Sequence, residues 1–182
     1  MPYNFYRGDT RTKAELVRAG GFKAWVPLTL TQAISLVNRF NNANTADVDL
    51  PCQAHRIKAQ VNTSKKAKLL DLTRYVKVIK DRTSVQVSTD LTEECGGYTS
   101  GNIFKIQFDN LYAHDANTGI VTANPATLEV ISHFGAQIIT DTGNLATASI
   151  IAITSKGQEV YFLTAIPAKN IIGYKSGRGV WQ

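Results

Sequence analysis

Two arginines on either side of an aspartate form the part of this sequence best suited to bind a phosphate ligand. The run Phe5–Arg11 contains Arg7, then Gly8 and Asp9, and ends at Arg11. A guanidinium can donate two parallel hydrogen bonds to a phosphate, and a glycine lets the backbone approach a ligand closely. These residue types and their spacing predict an anion-binding turn at the end of a short strand.

The residues after this run predict a short helix. Thr12 and Glu15 have the spacing of a capping box, in which the threonine caps the first turn and the glutamate reaches back. Gly20 and Gly21 then provide a helix end. The arginines are thus placed in a strand-to-helix turn, where loop residues often carry function.

Composition narrows the class of protein without naming a function. A chain of 182 residues, 43% hydrophobic and 19% charged, is expected to form one globular domain. The formal net charge of +6 favours acidic partners such as nucleic acid or phosphorylated ligands. No apolar run approaches the roughly 20 residues that span a bilayer, and the first residues have no signal-peptide core. The sequence contains no nucleophile elbow, phosphate loop or dinucleotide-binding glycine motif.

Cysteine and histidine do not predict a metal site. Cys52 and Cys95 lack metal-ligand spacing, and the three histidines are scattered. The two thiols are interpreted as unpaired structural cysteines, with one disulfide between them as the alternative.

Hydrophobic periodicity predicts helices early in the chain and strands later. Helical spacing favours segments at 31–40 and 65–80, and Pro125 favours a short helix over 124–131. Few helices separate the later β-rich segments, which argues against a parallel doubly wound sheet. The predicted fold class is α+β, with early helices followed by a mostly antiparallel β-sandwich. Its strands are predicted at 84–88, 104–108, 149–154, 159–163 and 171–174.

One face of the predicted helix at 65–80 is strongly basic. The ordinary interpretation is a solvated helix face, and the alternative is a surface for phosphate or nucleic acid. No aromatic residues alternate with these basic residues, which argues against a stacking platform for single strands.

Three separated stretches together resemble a known family. Tyr6–Arg11, followed by a helix and Gly20-Gly21-Phe22, is similar to the opening of cholera toxin and pertussis toxin catalytic domains. Val87-Ser88-Thr89 resembles their Ser-Thr-Ser element, and Gln158-Glu159-Val160 resembles their catalytic-glutamate strand. In order and spacing the three resemble mono-ADP-ribosyltransferases of the Arg, Ser-Thr-Ser, Glu class.

The resemblance implies one catalytic domain over residues 1–182, with NAD as its co-substrate and the NAD cleft central in the fold. In that family the arginine equivalent to Arg7 anchors NAD, and the next residue, here Gly8, faces the nicotinamide amide. Ser88 and Thr89 would brace the arginine and orient the glutamate. Glu159 would bond the ribose 2′-hydroxyl and stabilise the oxocarbenium-like sugar as the glycosidic bond breaks.

The roles implied by the resemblance fall into two sets. The expected catalytic residues are Glu159, Ser88 and Arg7. The expected NAD-binding residues are Arg7, Gly8, Asp9, Arg11, Ser88 and Thr89. No metal is expected.

Two positions depart from the family pattern. Asp90 stands where the second element ends in serine, threonine or glutamine. Gly157 stands two residues before Glu159, where relatives carry a glutamate or glutamine for the acceptor. Gln158 is adjacent, but in a regular strand it points to the opposite side, so a bulge would have to bring it round. Gly157 and Gln158 are the expected acceptor-recognition positions, and the acceptor stays open.

The resemblance also implies a setting. The domain is expected to belong to a bacterial toxin or effector, cut from a larger chain, secreted or injected, and active in the target-cell cytoplasm. The expected partners are a target-cell protein that accepts ADP-ribose and an immunity or delivery protein, without a membrane span. Two alternatives remain: transfer of ADP-ribose to DNA or RNA, and a non-catalytic binding module that retains the fold.

Overall fold

Antiparallel strands make up most of the regular structure of the protein. The computed structural model describes residues 1–24, 28–31, 33–34, 86–115, 118–128, 137–154 and 158–182. Helix α1 is Lys13–Arg18. The strands are β1 Tyr3–Asp9, β2 Gly21–Phe22, β3 Val87–Asp90, β4 Asn102–Phe108, β5 Tyr112–Asp115, β6 Val121–Ala123, β7 Gln137–Thr140, β8 Ile151–Thr154, β9 Glu159–Phe162, β10 Ile166–Pro167 and β11 Ile171–Ser176.

Within the described ranges, nine of these strands form one continuous sheet. Its order is β11-β4-β1-β3-β9-β8-β7-β5-β6, and neighbouring strands run antiparallel. β2 and β10 form a separate two-stranded ribbon. This order places β1, β3 and β9 side by side, although they come from the beginning, middle and end of the sequence.

The contact between β1 and β3 is much shorter than its neighbours. β1 pairs with β4 along its length, from Tyr3 opposite Phe108 to Asp9 opposite Asn102. On its other side, β1 meets β3 at the pair Tyr6–Asp90. We call this junction the β1–β3 seam.

Aromatic packing holds the sheet together across the seam. Phe5 of β1 is fully buried, and its ring centroid lies 5.4 Å from that of Phe162 in β9, edge to face. Phe108 stacks on the same Phe162 ring at 5.8 Å. Burying a side chain of this size stabilises a fold by about 1.5–3 kcal/mol. Apolar contacts therefore join the two halves of the sheet where its hydrogen-bonded ladder is short.

The capped helix predicted from the sequence is confirmed. The Thr12 side chain accepts a hydrogen bond from the Glu15 backbone, and the Glu15 carboxylate accepts one from the Thr12 backbone at 2.7 Å. The helix buries Leu16 against the core. Gly20, in a left-handed conformation, follows its end.

Most of the predicted strands are confirmed. Those at 104–108, 149–154, 159–163 and 171–174 correspond to β4, β8, β9 and β11. The strand expected at 84–88 corresponds to β3, which runs to Asp90. The mostly antiparallel, sheet-rich α+β architecture is therefore present. The predicted arrangement is a sandwich, whereas nine of the described strands form one long sheet, because β3 pairs with both β1 and β9.

The predicted helices are tested only in part. Residues 31, 33 and 34 of the segment at 31–40 are helical, and the rest of that segment lies outside the described residues. The segment 65–80, its basic face and Cys52 lie outside the described residues. The prediction at 124–131 is wrong over its described part, since 124–128 are not helical: Asn124 takes a left-handed conformation with φ of 46° and accepts a hydrogen bond from the Leu111 backbone. Among the helices that the structure describes, none is long and apolar enough to cross a membrane.

The ribbon of β2 and β10 requires a glycine at position 21. Gly21 has φ of 115°, and a Cβ there would collide with the Ile166 carbonyl oxygen. We expect Gly21→Ala to lower the free energy of unfolding by more than the roughly 1–3 kcal/mol of backbone strain alone. Gly20→Ala is the matched control, because Gly20 also has positive φ but its nearest neighbour is the flexible end of Lys23. Urea unfolding of both variants measures the difference, and equal destabilisation would contradict the collision.

Candidate functional site

A cleft of about 210 Å³ lies where β1, β3 and β9 adjoin. Residues from four separated parts of the chain line it: Tyr6, Arg7, Gly8, Ser88, Thr89, Asp90, Cys95, Gly96, Tyr98 and Glu159. Five of the predicted site residues, Arg7, Gly8, Ser88, Thr89 and Glu159, are thus brought together. Asp9, Arg11 and Gln158 are not in this lining, and Gly157 lies outside the described residues.

The sheet register decides which side chains share a face at the seam. Tyr6 pairs with Asp90, and Asp90 pairs with Glu159, so these three side chains lie on one face. Arg7 leaves β1 toward the other face, where its guanidinium carbon lies 5.4 Å from the centroid of the Phe22 ring. Its Nη1 donates to the Ser88 carbonyl at 2.7 Å. Arg7 therefore bridges β1 and β3 beside the pair Tyr6–Asp90.

The Arg7 guanidinium is partly buried, and its hydrogen bonds are only partly satisfied. The side chain is 28% exposed. Its Nε is buried, lies 3.8 Å from the nearest Asp9 oxygen, and makes no hydrogen bond in the structure. Burial lowers the pKa of Arg7, while the negative charge of Asp9 acts in the opposite direction. A guanidinium in this position favours a further anionic partner, because burying a charge without full pairing is unfavourable.

Asp9 and Arg11 form a close ion pair beside the cleft. Nε and Nη2 of Arg11 donate to the two carboxylate oxygens of Asp9 at 2.8 and 2.7 Å, and the Arg11 backbone N–H donates at 3.0 Å. The Arg11 guanidinium also lies over the Phe22 ring, at 5.7 Å. The pair thus orders the turn that carries Arg7. Both carboxylate oxygens of Asp9 accept hydrogen bonds from Arg11.

The Ser-Thr element lies in β3 with each residue in a different role. Ser88 supplies the carbonyl that binds Arg7. The buried Thr89 hydroxyl donates to the Val160 carbonyl in β9 at 2.9 Å. Asp90 accepts hydrogen bonds from the backbone and hydroxyl of Thr92, at 2.7 and 2.8 Å. The aspartate that departs from the family pattern therefore fixes the beginning of the next loop.

Glu159 is the first residue of β9 and is half-buried in the cleft wall. Its Oε2 accepts a hydrogen bond from the Tyr161 hydroxyl at 2.7 Å. The two residues are two apart in one strand, so their side chains share a face, and Tyr161 is fully buried. Gln158 is exposed, and its carbonyl accepts from the Leu91 backbone at 2.8 Å.

The loop that connects β3 to β4 supplies the lining residues that the sequence did not predict. We call residues 91–101 the β3–β4 loop. Its Tyr98 ring packs directly on Gly8, where an added Cβ would collide with the ring. Cys95 is a free thiol. Burial raises the pKa of this thiol, against the opposing effects of Gly8 and Arg7. Gly8 is thus required for contact with Tyr98 as well as for any approach of a ligand.

The Cys95-Gly96-Gly97-Tyr98 run was the available signal for this loop. Two consecutive glycines after a strand indicate an unusual turn, but neither glycine indicates which segment the turn contacts. From the sequence alone, Cys95 indicates only an unpaired thiol.

The described residues contain no group of three or more histidine, cysteine, aspartate or glutamate side chains that could hold a metal ion. Comparison with protein-family models and with curated proteins found no match for this sequence. The interpretation of the cleft therefore rests on its own chemistry.

The Asp9–Arg11 pair predicts a pH-dependent stability. Burial alone would raise the pKa of Asp9, but hydrogen bonds and charge from Arg11 outweigh it, so the pKa is lowered from its usual 3.8. A lowered carboxylate pKa contributes stability above the unfolded-state value and loses it as pH falls through the folded-state value. We expect Asp9→Asn to lose about 1–3 kcal/mol at pH 7, and this difference from the wild type to shrink below pH 3.8.

Urea unfolding between pH 7 and pH 3 measures this difference, with Asp109→Asn, at an exposed aspartate, as the control. A difference that stays constant over the whole range would show that the ionised Asp9 is not its source.

Proposed function

We propose that the protein is a mono-ADP-ribosyltransferase domain that cleaves NAD, releases nicotinamide and transfers ADP-ribose to an acceptor. The observation that carries the proposal is that Arg7, Ser88-Thr89 and Glu159 line one cleft. These elements are far apart in the sequence; Arg7 and Ser88 alone are separated by 81 positions. Their order along the chain and their meeting on adjacent strands are what this class of enzyme requires.

The charges at the seam suit the charges of NAD. NAD carries an anionic pyrophosphate and a cationic nicotinamide ring. Arg7 offers a partly buried guanidinium whose buried Nε has no hydrogen-bond partner in the structure, which fits the anionic end of such a ligand. Glu159, whose carboxylate accepts a hydrogen bond from Tyr161, lines the same cleft, which fits the cationic end. This arrangement supports binding of a ligand with opposite charges at its two ends.

Glu159 is proposed to act on the bond to nicotinamide. That bond breaks with its electron pair leaving on the nicotinamide nitrogen, which becomes neutral, while positive charge develops on the ribose. A carboxylate near the ribose stabilises this charge and accepts the 2′-hydroxyl hydrogen bond. An acceptor nucleophile then bonds to the ribose carbon and loses its proton. Tyr161 holds the Glu159 carboxylate in place through its hydroxyl.

The acceptor is proposed to be a target-cell protein, on the family resemblance. DNA or RNA is the second candidate, favoured by the net charge of +6. Gln158 is exposed beside Glu159 and is the described residue placed to meet an acceptor. The proposed setting is a toxin or effector that acts in the target-cell cytoplasm.

The first test is replacement of the proposed catalytic carboxylate. We expect Glu159→Gln to lower NAD cleavage by about 10²–10³-fold, because a preorganised charge that stabilises the transition state is removed. Labelled NAD is incubated with cell lysate, with DNA and with RNA, and both nicotinamide release and label transfer are measured. Glu94→Gln, a carboxylate of the β3–β4 loop outside the cleft lining, is the matched control.

Equal cleavage by the wild type and Glu159→Gln would remove Glu159 from the mechanism. Calorimetric titration distinguishes the enzyme from the binding module. Binding of nucleic acid without binding of NAD would support the non-catalytic binding module instead.

The second test concerns Tyr161. We expect Tyr161→Phe to lower kcat about tenfold with little change in KM, since a hydrogen bond to a charged group contributes about 1.5–3 kcal/mol. In the Glu159→Gln background the same change should have little further effect, because the two residues act through one contact. Tyr112→Phe, on β5, is the remote control. A full additive loss in the double variant would show that Tyr161 acts only through general stability.

A further inference from the structure

We propose that the segment 174–182 regulates the cleft by holding the β3–β4 loop on Gly8, and that NAD enters when this hold is released. We call residues 174–182 the 174–182 turn. The inference rests on the proposed function, because NAD is the ligand whose entry is controlled.

The β3–β4 loop occupies space that the ligand would need. Cys95, Gly96 and Tyr98 line the cleft, and the Tyr98 ring sits against the Gly8 backbone. With the loop in this position the cleft measures about 210 Å³, below the roughly 300–1,000 Å³ of small-molecule sites. A dinucleotide therefore requires the loop to move away from Gly8.

Glu93 is the point at which the loop is held. Its Oε2 accepts hydrogen bonds from Lys175 Nζ at 3.1 Å and from Trp181 Nε1 at 3.0 Å. The hydrogen bonds from Trp181 and Lys175 lower the pKa of Glu93. Lys175 Nζ also lies 4.9 Å from the centroid of the Trp181 ring. The Glu93 carboxylate, two residues before Cys95, thus accepts hydrogen bonds from two donors: Lys175 in β11 and Trp181, which follows β11.

The 174–182 turn places those donors and also reaches the cleft wall. Tyr174 and Gln182 exchange two backbone hydrogen bonds, at 3.0 and 2.8 Å, and their side chains are bonded at 2.6 Å. Within the turn, the Trp181 ring lies 5.8 Å from the ring of Tyr6, which lines the cleft. Trp181 therefore contacts both the loop and the strand that the loop covers.

The loop is built to move between two fixed ends. Asp90 binds Thr92 at its beginning, and at its end Gly101 packs so closely on Asp9 that a Cβ there would collide with the Asp9 backbone. Between them Gly96 and Gly97 have positive φ, and an added Cβ at either would meet open space. Cys95 is also left-handed, with φ of 49°, a conformation that a side chain disfavours.

The hold on the loop suits reversible release. Glu93 is 50% exposed, and partly exposed ion pairs contribute little to stability. Lys175 is more buried, at 14% exposure, and is kept in position by Trp181. Loss of the Glu93 contacts should therefore free the loop without unfolding the sheet.

The free thiol of Cys95 reports on loop release independently of enzymatic activity. We expect Trp181→Phe, which keeps the ring but removes its N–H donor, and Glu93→Gln each to raise alkylation of Cys95 by N-ethylmaleimide roughly two- to fivefold. Mass spectrometry separates the peptide that contains Cys95 from the one that contains Cys52. Glu94→Gln removes the same charge one residue along, outside the Glu93 contacts, and should leave the rate unchanged. Unfolding midpoints confirm that each variant is folded.

Titration with NAD completes the test. Faster alkylation together with tighter NAD binding in the two variants supports the proposal. An unchanged alkylation rate overturns it, and so does faster alkylation with weaker NAD binding, since the loop would then be part of the binding site. Faster alkylation without NAD binding by any variant supports loop release but overturns NAD as the ligand and, with it, the proposed function.

Discussion

The guanidinium of Arg7 is the charge around which this part of the molecule is arranged. A buried cation must be paired or hydrogen-bonded, since leaving it unsatisfied is strongly unfavourable. Here the partners come from separate segments: the Ser88 carbonyl, the Phe22 ring and, at longer range, the Asp9 carboxylate. These partners converge only when β1, β3 and the ribbon of β2 and β10 are all in place. The contacts of the Arg7 guanidinium therefore hold the turn after β1 against the sheet.

Satisfying Arg7 also shapes the seam. The guanidinium bridges to β3 just beyond the pair Tyr6–Asp90, so the strands are joined there by a side chain. The two halves of the sheet are then held by the aromatic contacts of Phe5 and Phe108 with Phe162. If β1 and β3 were joined by backbone hydrogen bonds along their whole length, no opening would remain between them. Side-chain bridging and apolar packing together allow a cleft in the middle of a continuous sheet.

Local signals made part of this structure predictable. The capping box of Thr12 and Glu15 involves residues three apart, so sequence spacing alone specifies its geometry. The alternation of Phe104, Ile106 and Phe108 with polar residues likewise marks a half-buried strand. Strands β5 and β7 were missed because their buried faces include polar residues. His114 and Thr140 are both buried and are hydrogen-bonded to each other at 2.8 Å, a pairing that no local pattern contains.

The candidate site was predictable in its parts but not in its surroundings. Arg7, Ser88 and Glu159 could be selected by residue type and order, and they line one cleft. The packing of Tyr98 on Gly8 depends on tertiary structure. So does the contact of Trp181 with Glu93, which lie 88 positions apart in the sequence. Asn124 shows the same limit, because its left-handed backbone follows from a bond to Leu111 and not from the proline beside it.

The strand order has a consequence for how the chain reaches this state. β1 lies between β3 and β4, so β1 has neither of these two neighbours until β3 and β4, much later in the chain, have been synthesised. Contacts that close such long loops slow folding, since chain entropy is lost before the contacts can compensate. During synthesis the unpaired edges of β1 and the unburied Phe5 side chain are therefore exposed to aggregation.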